Sequence, residues 1–115
     1  MHILTDKKGT TCGYLYNNVI LVPGNEVRGV VLAHCVFTSR GIVKGKYFRG
    51  YIYNEAGEII AREAKGQNGD LTFSESTQIM KDAWEILART KDHTAPWVIA
   101  TDKWSGVTLE EFLLQ

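Results

Sequence analysis

Apolar and polar residues alternate over the first 65 positions, and turn-forming residues interrupt the alternation at intervals. Gly13-Tyr14-Leu15-Tyr16 and Val19-Ile20-Leu21-Val22 flank Asn17-Asn18. Two asparagines tolerate positive φ, so the pair suits a type I′ hairpin. Pro23-Gly24 suits a type II turn, with proline presetting φ and glycine taking the left-handed position. Ser39-Arg40-Gly41 and Glu55-Ala56-Gly57 read as three-residue loops ending in glycine, each closing a bulged hairpin. The pattern predicts a five-strand antiparallel meander whose third and fourth strands run about 12 residues, long enough to curve the sheet.

The two glycine-ended loops imply a register. Thr38 faces Ile42 and Asn54 faces Glu58, so odd-numbered residues share one face of these strands. Arg49 then lies opposite Glu63, and Tyr51 opposite Gly29. Tyr47, Tyr51 and Tyr53 fall on the core face. Val30, Leu32, Phe48 and Ile52 fall on the other, among Arg28, His34, Lys44, Lys46 and Arg62. A sheet with apolar residues on both faces needs cover on both, which predicts a helix on one side and a homodimer contact on the other.

The period changes near residue 65. Lys65-Gly66-Gln67-Asn68-Gly69-Asp70 has loop composition. From about Ser74 to Lys91, Ile79, Ala83, Ile86, Leu87 and Thr90 recur at three- and four-residue steps, which predicts a helix. Thr72 with Glu75, or Ser74 alone, caps its start. Asp92-His93-Thr94-Ala95-Pro96 stops it. Trp97–Thr101 reads as a short strand, Asp102–Gly106 as a turn, and Thr108 with Glu111 as the capping box of a last helix, Leu109 to Leu114. The expected fold is a single α+β domain over residues 1–115. A curved antiparallel meander sheet of five to six strands packs its concave face on one long helix, with a short C-terminal helix. The sequence shows no internal repeat, no low-complexity segment and no linker.

Composition narrows the function classes. A chain of 115 residues that is 44% hydrophobic suits one globular domain. Thirteen bases balance thirteen acids, so net charge points to neither nucleic acid nor membrane. There is no apolar run of spanning length, and the charged start, Met1 to Lys8, lacks a signal peptide's apolar stretch. A cytoplasmic protein is therefore expected. Two cysteines are too few for a disulfide scaffold. The charge is uneven, however. Residues 27–54 hold Arg28, Arg40, Lys44, Lys46 and Arg49 with no acid, whereas the acids concentrate after residue 54. That is either a basic face for an anion or acidic partner, or one half of an internal charge match.

Specific chemistry is sparse. His34 and Cys35 are neighbours on a strand and so point to opposite faces, which excludes a dyad. His2, His34 and His93 lack metal-ligand spacing, and no metal or cofactor is implied. Lys44-Gly45-Lys46 lacks the strand–loop–helix setting of a phosphate cradle. Arg49-Gly50-Tyr51 matches only the opening of an aromatic RNA-binding signature before Ile52 breaks it, which argues against nucleic acid. Two groups remain as candidate ligand contacts: the basic set Arg28, His34, Lys44 and Lys46, and the aromatic set Trp97, Asp102 and Trp104. The expected function is a binding module for a small apolar or anionic molecule or a protein partner. The alternatives are a small enzyme with His34 or Asp102 as general base, and an interaction or inhibitory protein acting through its basic face or an exposed sheet edge.

Overall fold

The computed structural model describes residues 1–67, 71–90 and 97–114. It holds eight antiparallel strands closed into a barrel, each paired with its sequence neighbours and β1 with β8. The strands are β1 (His2–Thr5), β2 (Thr11–Tyr16), β3 (Val19–Val22), β4 (Glu26–Leu32), β5 (Cys35–Thr38), β6 (Val43–Phe48), β7 (Tyr51–Asn54) and β8 (Ile59–Gln67). Two helices follow, α1 (Phe73–Arg89) and α2 (Leu109–Leu113).

The closed barrel replaces the expected five- to six-strand curved sheet. Each of the two expected long strands folds back on itself. Ala33-His34 turns between β4 and β5 with φ of 50° and 65°, and Arg49-Gly50 turns between β6 and β7 with φ of 52° and 84°. These are the same two-residue, positive-φ hairpins as Asn17-Asn18 (46° and 65°), built without the asparagines that signal them. The opening His2–Thr5 becomes a strand because it closes the barrel against β8, which runs on to Gln67 instead of ending in a loop. Trp97–Thr101 forms no strand. Thr101 N–H and Oγ1 instead both donate to Gly57 O, and Trp104 bridges to Ile59. The expected helix stop at Asp92–Pro96 lies outside the described residues.

The register holds at the two glycine-ended loops, where Thr38 N–H donates to Ile42 O and Asn54 N–H to Glu58 O. One residue beyond each loop a bulge shifts the pairing, to Val36↔Gly45 and Ile52↔Ala61. Tyr51 therefore opposes Phe48 and Arg62 rather than Gly29, and Glu63 N–H donates to Gly50 O beside Arg49. Of the expected second face, Val30 packs beneath α1 and Ile52 points into the barrel, whereas Leu32 and Phe48 stand 46% and 40% exposed.

The bulges expose a repeat that residue identity hides. They follow Leu4, Ile20, Val36 and Ile52, sixteen residues apart, and the skipped residues opposite are Cys12, Arg28, Lys44 and Ile60. Gly9, Asn25, Gly41 and Gly57 have positive φ at the same spacing. The barrel is thus four consecutive two-strand units, and its interior is layered in fours. Odd-numbered strands give Leu4, Ile20, Val36 and Ile52, all fully buried. Even-numbered strands give Gly13, Gly29, Gly45 and Ala61, and then Leu15, Val31, Tyr47 and Glu63.

The small layer is a socket. A Cβ on Gly13 would lie 2.8 Å from Leu109 Cδ2, one on Gly29 3.0 Å from Leu113 Cδ2, and one on Gly45 3.0 Å from Phe112 Cζ. The three α2 side chains fill the space the glycines leave and join the interior cluster. A capping box at Thr108 and Glu111 starts α2 on time. The long helix is not in the concave face. α1 lies outside, with Ile79, Ala83 and Ile86 over Val19, Leu21, Val30, Cys35 and Phe37. Its Thr72–Glu75 capping box forms as expected, and Tyr16 Oη, 2.8 Å from Ser76 Oγ, ties it to the barrel.

Candidate functional site

The structure separates the expected site residues. His34 is exposed in the β4–β5 turn, with its carbonyl accepting from Tyr47 N–H. Arg28 and Lys44 occupy equivalent bulges on β4 and β6. Arg28 bonds Glu26 and lines a cleft of about 330 Å³ with Asp82, Glu85 and Arg89, so its charge is answered within the fold. Lys46, paired with Cys35 and Tyr53, sets its Nζ 5.6 Å from the Phe48 ring centre. Trp97 is 89% exposed, and Asp102 is exposed. Trp104 is half-buried and lines a cleft of about 420 Å³ with Cys12, Ile60 and Leu109, where the chain enters α2. Cys12 and Ile60 are the other two bulge residues, so the apolar half of that ring receives the C-terminal segment. Burial, then the Asp6 charge, pushes the Cys12 thiol up to about 11. Cys35 is buried under α1.

Polar groups converge elsewhere, where the fourfold pattern breaks. The layer that begins with Leu15 and Val31 continues with Tyr47 and Glu63, and the Tyr47 hydroxyl donates to Glu63 Oε1. Glu63 opposes the buried Leu4 across the β1–β8 pair, so it faces inward. Burial first, and then the bonded Glu63 carboxylate, hold the Tyr47 phenol protonated well above its ordinary range. Glu63 reaches the surface in a cleft of about 570 Å³ lined by Thr5, Gly9, Arg49, Gly50, Tyr51 and Arg62. A Cβ on Gly50 would lie 3.6 Å from Glu63 Oε2, so the missing side chain keeps that oxygen accessible.

Two arginines, a glutamate and a tyrosine thus line one opening. Two arginines can hold a carboxylate or phosphate by charge-assisted hydrogen bonds, and Glu63 can accept from a donor on the same molecule. The sequence register brought Arg49 and Glu63 together as a structural pair. It put Tyr47 on the same face as Glu63 and Arg62 on the other, but did not join them into a site. Among the described residues no three His, Cys, Asp or Glu side chains are placed to share a metal ion. No described helix is long and apolar enough to cross a membrane. Comparison with family models, curated proteins and solved structures returned no match.

Proposed function

We propose that the protein is a binding module for a small anionic ligand, held between Arg49 and Arg62 with Glu63 accepting a hydrogen bond from it. The observation that carries this reading is the polar break in an otherwise apolar interior layer, opening onto a cleft with two arginines. A half-buried polar pair gains less stability than an apolar pair of the same shape, so its placement at an opening favours a role in recognition. His34 and Asp102 are both exposed, away from any such cluster, which weighs against the general-base alternative. Calorimetric titration with inorganic phosphate, and separately with glycine as a zwitterion, tests the reading. Saturable binding that falls at least tenfold in Arg49→Ala/Arg62→Ala and weakens with salt supports it. Equal binding by the double variant, or none by the wild type, refutes it.

A protein partner, including a second copy of the chain, is the second reading. It is favoured by Phe73 and Trp84, which stand 88% and 66% exposed on α1. Sedimentation at micromolar concentration checks it, and a species of 12.9 kDa alone would count against a homodimer.

A further inference from the structure

The sixteen-residue repeat allows the same outer positions to be compared on different sides of the barrel. Beneath α1, Val19, Cys35 and Val30 make an apolar seat for the helix. On β7, Tyr51 stands where Val19 and Cys35 stand, and on β6 and β8, Lys46 and Arg62 stand where Val30 stands. Neither described helix has its core-forming side chains on this side. Phe48, Tyr51, Arg62 and Thr5 are consecutive cross-strand partners, so they form one row across the outer wall at about 4.8 Å per step. Phe48 is 40% exposed, with Arg49 Cζ 5.0 Å and Lys46 Nζ 5.6 Å from its ring centre. Lys46, Arg49 and Arg62 form no ion pair among the described residues.

We propose that this outer face of β6–β8 binds single-stranded nucleic acid, with bases stacked on Phe48 and Tyr51 and the backbone phosphates on Lys46, Arg49 and Arg62. Rings interleaved with cations are what such a strand needs. Every base offers a face to stack, and every linkage offers a negative charge. The sequence register placed Tyr51 on the core face; here the pairing with Phe48 and Arg62 sets it on the outside. The proposal shares Arg49 and Arg62 with the cleft reading above and extends it from one anion to a chain of them.

The test is fluorescence anisotropy of a labelled oligothymidylate of about eight nucleotides, within the usual site size of a small barrel. The full-length protein is used at low and moderate salt. The expected result is single-strand binding that salt weakens, and a loss of about 5- to 100-fold in Phe48→Ala or Tyr51→Ala. Phe48→Trp should retain affinity, and a melting curve checks that each variant is folded. Phosphate binding in the cleft should persist in Phe48→Ala. The proposal is overturned if the wild type does not bind, if the alanine variants bind as the wild type does, or if a duplex or polyglutamate of equal charge binds as tightly. Failure of phosphate alone would remove the cleft reading and leave the platform standing. Failure of the oligonucleotide alone would do the reverse.

Discussion

Phe112→Ala tests whether α2 is a structural plug or a surface appendage. Phe112 is 2% exposed, and its ring tip sits where a Cβ on Gly45 would come within 3.0 Å. The barrel cannot collapse into the void, because the Gly45 backbone is already tight: the same Cβ would lie 2.0 Å from Tyr53 O. A site that cannot relax bears the transfer and cavity costs together, about 3–5 kcal/mol for a buried phenylalanine. A domain of this length has roughly 6–17 kcal/mol in total, so the loss is a large fraction of it. The melting temperature should fall by about 10–20 °C. Leu114→Ala, one residue past the same helix and at a site 55% exposed, should change stability by no more than about 0.5 kcal/mol. Urea unfolding followed by tryptophan fluorescence and circular dichroism gives both values. A Phe112→Ala midpoint within error of the wild type, or equal to that of Leu114→Ala, would refute the socket.

Two further outcomes follow from local geometry. Ala33 and His34 hold left-handed φ at a two-residue hairpin, a conformation that costs a non-glycine residue about 1–2 kcal/mol; Ala33→Asn/His34→Gly should therefore raise the melting temperature by several degrees, and a fall would show that the turn is held by something other than φ. The Cys12 thiol and the Tyr47 phenol are both raised on folding, so their contribution is complete below their unfolded values and is lost as pH climbs. Stability should decline from about pH 9 upward, more gently in Tyr47→Phe, and a melting temperature flat from pH 8 to 11 would contradict both shifts.

The local devices were legible because each rests on residues that have few other uses. Asn17-Asn18, Gly41, Gly57 and the capping boxes at Thr72 and Thr108 all formed as the sequence implied. The barrel was not legible, for two reasons. Ala33-His34 and Arg49-Gly50 carry no strong turn signal, so two hairpins read as two long strands. Closure depends on β1 meeting β8, a pairing that no local pattern encodes. The repeat stayed hidden because its units agree in backbone role and not in side chain. Cys12, Arg28, Lys44 and Ile60 perform the same bulge, yet share no chemistry. The candidate site inherits that obscurity. The register set Glu63 on the odd-numbered face but paired it with Arg49; its bond to Tyr47 follows from the bulges, which no residue pattern announces.

Barrel closure also has a consequence for the order of assembly. Seven of the eight strand pairings join strands adjacent in sequence, each across a short turn or loop, and only β1 with β8 joins the two extremes. Loop-closure entropy rises with the logarithm of the span, so this last pairing costs roughly 2 kcal/mol more than a hairpin of a few residues. The open meander can therefore zip from any of its four units, and the seam between β1 and β8 forms late. Substitutions along that seam, at Leu4 for instance, should speed unfolding and leave the folding rate nearly unchanged. The closing seam is also where Glu63 lies opposite Leu4, so the polar break in the interior takes its final shape only when the ring shuts.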